Sequence, residues 1–179
     1  MADYLFKSKR LGFRNWKESD KPKMGMINSD PKVMEYFPKI PTQQETNQHI
    51  DRMRTQFSEN GYCYFAVDKL ENGEFIGFIG IAEQTFESDF TPCVDIGWRL
   101  ARTEWGQGFA TEGAKRCLEY AFNEIGLRNI KSICPEINDK SESVMKKIGM
   151  KKTKSFYHPL LSEYKELQKC VLYEINNNI

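Results

Sequence analysis

The segment whose residue types most directly suggest chemistry is a glycine-bearing turn. Trp105-Gly106-Gln107-Gly108-Phe109-Ala110-Thr111 follows a short polar loop and runs into a stretch with the apolar spacing of a helix. The first amides of a helix have no internal acceptor, and the helix dipole adds partial positive charge at that end. Small residues let a ligand approach the backbone closely. The turn therefore predicts a phosphate or pyrophosphate site.

The spacing within this turn narrows the choice of phosphate ligand. Gly106, Gly108 and Thr111 partly mimic a dinucleotide fingerprint, and Glu136 follows the next strand, but Thr111 stands where a third glycine belongs. A polar loop also separates the turn from its strand, whereas the fingerprint follows its strand closely. No Gly-Lys-Ser/Thr follows the turn, which excludes a P-loop. A dinucleotide enzyme is kept as the weaker alternative.

The whole-chain composition excludes several classes of protein. The 179 residues predict one domain spanning 1–179, and a hydrophobic fraction of 40% predicts a globular one. A net charge of +1 argues against a nucleic-acid partner. Five cysteines without a Cys-x-x-Cys and two distant histidines predict neither a disulfide framework nor a metal site. No signal peptide or membrane-length apolar run is found, which predicts a cytoplasmic protein with no membrane partner.

The elements before the turn must carry it at the end of a sheet strand. A short strand is predicted at 10–14, a helix starting at Ser19 and Asp20, and a helix over 42–57 that ends at Gly61. Three strands are then predicted over 62–67, 74–82 and 93–100, with Asn72-Gly73 as a hairpin turn. Gly77 and Gly80 in the middle strand indicate bulges or close approach.

The elements after the turn alternate between helix and strand. Apolar residues at helical spacing predict a helix over 110–125 that is terminated by Gly126. A strand at 130–134 follows, and Asn138 can cap a second helix that is closed by Gly149. Two strands near 151–157 and 168–175 complete the pattern. The order predicts a mixed α/β sheet with helices on its faces.

Five segments in this order resemble one family, the Gcn5-related N-acetyltransferases (GNAT), and within it the RimJ/RimL branch. The segments are 9–14 with Asp20 beyond it, 73–80, 94–100, 105–112, and 138–141 together with 147–150. The resemblance covers nearly the whole chain. It implies an α/β (α+β) fold whose mixed central sheet of about seven strands is splayed between its fourth and fifth strands and flanked by about four helices.

The same resemblance implies acetyl-CoA as the cofactor. Backbone amides of the turn would hold the pyrophosphate of CoA, and pantetheine would lie in the cleft beside the strand that ends at Leu100, like an added strand. Asn138 would contact the cofactor through its side chain, unless it is only a helix cap. The implied cofactor-binding residues are Leu100, Ala101, Arg102, Gly106, Gln107, Gly108, Phe109, Ala110, Thr111, Asn138 and Ser141.

The implied reaction moves the acetyl group directly to a primary amine, either a peptide N-terminus or a small molecule. The amine must lose a proton, because an ammonium group has no free electron pair with which to attack. Glu83 and Asp95 are the candidate bases, since each stands on a strand expected to line the cleft. A backbone N–H near Leu100 is the expected donor to the acyl oxygen.

The leaving thiolate has no evident proton donor. Many relatives supply that proton from a tyrosine at the position where Met145 stands here, and a thioether cannot donate. Ser141, Tyr157 or a water could serve, or the thiolate could leave unassisted. Met145 therefore keeps a second class of function open, an acyl-CoA-binding sensor or regulatory module of the same fold.

The acceptor is not identified by the sequence, and whether the chain forms a homodimer is also open. The candidate walls of its pocket are apolar or aromatic, namely Met34, Tyr36, Phe37, Phe156 and Tyr157. His158, near the predicted end of the sheet, is interpreted as making a structural hydrogen bond.

Overall fold

One mixed sheet runs through the residues that the computed structural model describes, 3–177. Its strands are β1 Phe6–Lys7, β2 Leu11–Arg14, β3 Tyr64–Lys69, β4 Phe75–Gln84, β5 Cys93–Leu100, β6 Asn129–Pro135, β7 Lys151–Tyr157 and β8 Lys169–Asn176. Their order across the sheet is β1-β2-β3-β4-β5-β6-β8-β7. The helices are α1 Asp20–Ser29, α2 Gln43–Asn60, α3 Phe109–Tyr120, α4 Asp139–Lys147 and the short α5 Lys165–Gln168.

The α/β (α+β) fold implied by the family resemblance is confirmed, with eight strands in place of about seven. The two-residue β1, which pairs with β2, accounts for the difference. Because β1 is an additional strand, the numbering shifts by one, and the expected fourth and fifth strands are β5 and β6 in this structure. Four longer helices match the expectation, and α5 adds a single turn before β8.

The sheet splays between β5 and β6. These strands run parallel and are bridged at one position, Asp95 opposite Lys131. On its other side β5 pairs with β4 along its whole length, from Cys93 to Leu100. Beyond Asp95 the carboxyl-terminal half of β5 therefore has a ladder partner on one side only, and a cleft opens on the other.

The two faces of the sheet are covered by different helices. On β4, the neighbouring residues Phe78 and Ile79 point to opposite faces. Phe78 lies near His49 of α2, with ring centres 5.9 Å apart. Ile79 faces α3, where a Cβ added to Gly113 would lie 2.3 Å from the Ile79 Cδ1. The helices α1 and α2 thus pack on one face and α3 packs on the other.

A buried ionic cluster fixes α1 to the sheet. Arg14 of β2 donates to Asp20 at the start of α1 at 2.7 and 3.0 Å, and to Asp68 of β3 at 2.7 Å for each oxygen. The Asp20 carboxylate also accepts from the Lys17 amide at 2.7 Å. Ser19 was expected to cap this helix but makes no side-chain cap hydrogen bond. Asp20 ties the entry of α1 to the rest of the fold instead.

Helix ends follow the local sequence with one exception. Thr42 and Glu45 form a reciprocal capping box at the start of α2, which ends at Gly61 with φ 76°. The helix predicted over 110–125 is α-helical only to Tyr120, and its last turn, Ala121–Ile125, is π-helical. There both Gly126 and Leu127 donate to the Ala121 carbonyl, which widens the turn.

Close backbone approach explains the predicted glycines of β4. A Cβ at Gly80 would lie 2.2 Å from the Cys63 carbonyl oxygen, and one at Gly77 would lie 2.2 Å from the Arg99 carbonyl oxygen. Side chains are therefore excluded at both positions. Within 3–177, no helix has the length and apolarity needed to cross a membrane, and the same residues hold no cluster of His, Cys, Asp and Glu fit to bind a metal ion.

Candidate active site

A cavity of about 830 Å³ opens where β5 and β6 diverge. It extends from the glycine turn before α3 to polar side chains on the α1–α2 face of the sheet. Its walls come from the segment after α1, from α2, from strands β3 to β6, and from the starts of α3 and α4. One space therefore joins the turn that sequence analysis singled out to side chains able to transfer protons.

The turn has the shape expected of a phosphate cradle. Gly106 and Gly108 have φ of 76° and 81°, in the left-handed region that favours glycine. No protein atom lies within 4 Å of a Cβ built on Gly106, and at Gly108 the nearest is Arg10 Nη2 at 3.6 Å. The Glu112 amide makes the first intrahelical bond, to the Gly108 carbonyl. The amides of Phe109, Ala110 and Thr111 precede it, so they have no acceptor within the helix.

Arg10, the residue before β2, braces this turn, and sequence analysis missed it. Its Nε donates to Glu112 at 2.7 Å, its Nη2 donates to the Gln107 carbonyl at 3.0 Å, and its guanidinium lies 4.3 Å from the centre of the Phe109 ring. Ser8 adds a hydrogen bond to Glu112 at 2.7 Å. Arg10 lies in the first family-like segment, but no local pattern pairs it with a residue 102 positions away.

The exposed edge of β5 offers backbone groups to the cleft. The Ala101 amide donates to the Ile76 carbonyl at 2.9 Å. Because backbone groups alternate sides along an antiparallel strand, the N–H groups of Leu100 and Trp98 point away from β4, toward the cleft. The Leu100 carbonyl already accepts from Trp105 Nε1 at 3.0 Å. The Leu100 N–H thus lies where a donor to the acyl oxygen was predicted.

The predicted cofactor residues fall into two groups. Those that line the cavity are Leu100, Gly106, Gly108, Phe109, Ala110, Thr111, Asn138 and Ser141. Ala101, Arg102 and Gln107 lie outside its lining, and the Ala101 amide is already bonded to β4. For Ala101 this bond removes the backbone N–H from a role in the cleft.

Asn138 caps α4 from within the cavity wall. Its Oδ1 accepts from the Ser141 amide at 3.1 Å, as the cap prediction required. Lys140, in the same first turn, places its ammonium 4.6 Å from the centre of the Trp105 ring. The start of α4 therefore faces the glycine turn across the cavity, while the side-chain contact of Asn138 with a cofactor stays a prediction.

Asp95 is one of three carboxylates in the cavity lining, with Glu104 and Asp139, and it is the one that lies on β5 beside the cleft. It is 8% exposed and accepts from the Tyr64 hydroxyl at 2.6 Å and from Gln84 Nε2 at 3.1 Å. Burial raises the pKa of Asp95 from 3.8 to about 6, and the two hydrogen bonds oppose that rise. Gly97 leaves room for the Tyr64 ring, which would lie 3.2 Å from an added Cβ. A carboxyl with this pKa can exchange protons near neutral pH.

Other expected positions are corrected by the structure. Glu83 was expected to line the cleft, but β4 carries it past the cleft, where it is exposed and accepts from the Tyr62 hydroxyl at 3.4 Å. Tyr157, a candidate proton donor, is 68% exposed and lies outside the cavity lining. Only Asp95 of the two candidate bases therefore faces the cavity. Ser141 lines it, and Met145 is buried in its wall.

Of the residues predicted to form the walls of the acceptor pocket, some line the cavity and others lie elsewhere. Tyr36 and Phe37 line the cavity, whereas Met34 is buried in the core. Phe156 packs edge-on against Phe90, with ring centres 5.0 Å apart, in a separate aromatic group. His158 accepts the expected structural hydrogen bond, from the Leu160 amide at 3.2 Å. Of the five predicted wall residues, the cavity lining thus contains only Tyr36 and Phe37, both from the segment after α1.

Arg99 is a second functional candidate that sequence analysis missed. It lines the cavity, donates from Nη1 to Asn28 Oδ1 at 2.9 Å, and lies 4.2 Å from the Phe37 ring centre. Burial lowers the pKa of Arg99 to about 10. A strand repeats its face every second residue, so a cation four positions after Asp95 was a usable signal.

Comparison with known proteins agrees with this geometry. Residues 10–151 match the acetyltransferase (GNAT) domain. YkkB of Bacillus subtilis is 33% identical over 150 residues, which cover 82% of this chain and 84% of that protein.

Solved structures share the fold. An acetyltransferase of the GNAT family from Bacillus anthracis aligns with a TM-score of 0.79 at 26% identity, covering 95% of this chain and 96% of that one. RimL, a ribosomal L7/L12 alpha-N-protein acetyltransferase in complex with coenzyme A, aligns with a TM-score of 0.77 at 17% identity, covering 97% and 98%. At 17% identity, the likeness to RimL is one of fold alone. By the match of residues 10–151 to the family's domain, the chain belongs to the GNAT acetyltransferase family.

Proposed function

We propose that this protein is an N-acetyltransferase that moves the acetyl group of acetyl-CoA directly to a primary amine. The observation that carries the proposal is a single cavity joining the amide-lined turn before α3 to the buried carboxylate of Asp95. Membership of the family and the presence of coenzyme A in the RimL structure support it. The acceptor is a peptide N-terminus or a small-molecule amine.

The residues at the turn fit the anionic part of acetyl-CoA. The amides of Phe109, Ala110 and Thr111 have no acceptor within α3, and the space over Gly106 is free of protein atoms. A pyrophosphate would satisfy those amides and the positive end of the helix dipole. When bound, acetyl-CoA would supply an acyl thioester at the cleft. The Leu100 N–H is directed toward the cleft and would donate to the acyl oxygen.

Asp95 is the proposed general base. An attacking amine arrives as an ammonium and must lose its proton first. With a pKa of about 6, Asp95 is mostly ionised at neutral pH and still basic enough to accept that proton. Tyr64 and Gln84 both donate to its Oδ1 and so hold the carboxylate in place.

More than one group in the cavity is a candidate to return a proton to the departing thiolate. Met145 stands in the wall without a donor, and the Ser141 hydroxyl lines the same cavity. We propose Ser141 or a water as the donor, with unassisted departure as the alternative, since thiolates are good leaving groups. Buried Met145 is also the observation that favours a second candidate function, a module that binds acyl-CoA without turnover.

Thiol release from acetyl-CoA separates the two functions. The purified protein would be incubated with acetyl-CoA and a panel of peptides, amino acids, polyamines and aminoglycosides, and free CoA thiol would be followed by its reaction with a disulfide dye. Amine-dependent release, with an acetylated product seen by mass spectrometry, supports the enzyme. Tight binding of acetyl-CoA without release for any amine would refute it and favour the sensor.

A further inference from the structure

Arg99 is a cation in the cavity wall without an anionic partner. Within residues 3–177, no carboxylate oxygen lies within the 4.0 Å that defines an ion pair with its nitrogens. The guanidinium is stacked between two rings, with Phe37 at 4.2 Å and Phe78 at 5.4 Å. Those rings cover its faces and leave its in-plane N–H groups to find acceptors.

Its in-plane donors are incompletely matched by the protein. Nη1 donates to Asn28, whose own amide is held by donating to Thr46 at 3.0 Å. Nε is buried and has no hydrogen-bond partner. Nε2 of His49, another residue of this wall, is likewise buried without a partner. Buried polar atoms without partners are costly, and buried charges are normally paired. Both nitrogens are closed off from the cavity, but Arg99 Nη2 has no acceptor among the described residues and is left to bind an anionic ligand.

The charges on β5 suggest how that ligand lies. Asp95 and Arg99 share one face of the strand, with Gly97 between them and about 13 Å between their Cα atoms. The other groups that face Arg99 are the Tyr64 ring and His49, and burial keeps the pKa of His49 low, at about 4, so its ring is neutral. The Arg99 guanidinium and the proposed base, Asp95, thus lie on the same wall of the cavity.

We propose that the acceptor is a small amine that also carries a carboxylate, with the carboxylate held by the Arg99 guanidinium while the amine faces Asp95. A carboxylate matches the planar fork of a guanidinium. This inference rests on the proposed function of the same cavity and adds the substrate class. Arg99 is then a residue that determines specificity and takes no part in proton transfer.

Matched acceptors and matched variants test the proposal. The acceptors are 6-aminohexanoate and its amide, which differ only in the anionic group. The variants are Arg99→Gln, Arg99→Lys and, as control, Arg52→Gln, which removes an exposed cation of α2 that contributes no atom to the cavity lining.

In the wild type, kcat/KM should be higher for 6-aminohexanoate than for its amide. Arg99→Gln lowers kcat/KM for the carboxylate by about 30–100-fold, mainly through KM. It changes the value for the amide by less than about threefold. Arg99→Lys recovers part of the loss, and Arg52→Gln leaves both values within about twofold.

Two results would overturn the proposal. One is equal kcat/KM for the two acceptors in the wild type, and the other is an equal loss for both in Arg99→Gln with unchanged melting temperature. If no amine is acetylated, the proposed function fails separately, and the inference is then judged by calorimetric titration of 6-aminohexanoate into the protein saturated with CoA. Binding that is lost in Arg99→Gln and kept in Arg52→Gln supports the anion site, and binding that is unchanged in Arg99→Gln, or absent from the wild type, rejects it.

Discussion

Asp95 is buried from bulk water and yet lines the cavity proposed to receive the substrate. It is buried deeply enough to raise its pKa to about 6, and it lines the cavity that receives the substrate. Asp95→Asn keeps the shape and the hydrogen bond from Tyr64 but removes the base. We expect kcat to fall by about 100- to 1000-fold. Acetyl-CoA affinity should be unchanged, as measured by calorimetry.

The pH dependence of kcat/KM tests the proposed role of Asp95 as the general base. A general base acts only when deprotonated, so kcat/KM of the wild type should rise with pH and show an inflection near 6. Asp95→Asn should lack that inflection. Glu83→Gln is the control, because Glu83 is a carboxylate on the neighbouring strand that lies outside the cavity. An inflection that persists in Asp95→Asn, or that Glu83→Gln abolishes, would assign the base elsewhere.

The same burial predicts a cost in stability. A folded-state pKa of about 6, above the ordinary 3.8, means that the folded protein binds this proton more tightly than the unfolded chain does. Stability from this group is therefore complete below pH 4 and is lost as pH rises through 6, by about 3 kcal/mol. Asp95→Asn does not titrate. Its free energy of unfolding relative to wild type should increase by that amount between pH 4 and pH 8 in urea titrations, and a constant difference would contradict the assignment.

At the residue scale, the sequence identified the groups whose role is local and missed those whose role depends on distant partners. The turn and Asp95 stand in recognisable segments, and their chemistry follows from residue type. Tyr64 holds Asp95 from 31 positions away, and Asn28 holds Arg99 from 71 positions away. Such pairs form only when the register of the sheet and the packing of α1 are known, and no local periodicity encodes either one.

At the scale of elements, the turn before α3 can be tested apart from the backbone strain it carries. Gly108 and Gly126 have nearly equal φ, 81° and 82°, and they flank the same helical segment at opposite ends. Glutamate at either position should cost about 1–2 kcal/mol of stability in thermal unfolding. Only Gly108→Glu places a carboxylate beside the amides proposed for pyrophosphate. We expect its acetyl-CoA affinity to fall by at least about 100-fold, and that of Gly126→Glu to stay near wild type. Equal affinities in the two variants would disprove the cofactor site.

Most helices and strands were predictable because their signals are local. The apolar spacing and the Gly61 stop predicted a helix over 42–57 where α2 runs Gln43–Asn60, and the period-two pattern predicted β5 with its observed bounds, 93–100. The start of β3 was predicted early, at 62 in place of Tyr64, because it depends on pairing with β4, where Tyr64 meets Gly80. The π-helical turn after α3 was also missed, because the apolar spacing of the segment does not reveal that Gly126 and Leu127 both donate to the Ala121 carbonyl.

At the scale of the whole molecule, the sheet is joined across its middle by little backbone pairing. Strands β1 to β5 form one side and β6, β8 and β7 the other, and among residues 3–177 the one backbone pair that bridges them is Asp95 with Lys131. A pantetheine chain lying in the cleft would pair with the free edge of β5 and contact both sides. Binding should therefore order the junction as well as occupy it.

Hydrogen exchange with acetyl-CoA tests this directly. We expect slower exchange at 97–101, on the free edge of β5, and at 105–112, across the turn, because both sets of amides would gain acceptors or lose access to water. Strand β7 lies at the far edge of the sheet and serves as the internal reference, where exchange should not change.

Acetyl-CoA should also raise the melting temperature. At concentrations about 100 times Kd, binding should add about 2.7 kcal/mol to the free energy of unfolding and raise Tm by about 5–10 °C. Gly108→Glu should lose both effects. Protection of the turn without protection of 97–101 would place the cofactor outside the cleft, and slowing that includes β7 equally would indicate general stabilisation in place of a bridge between the two sides.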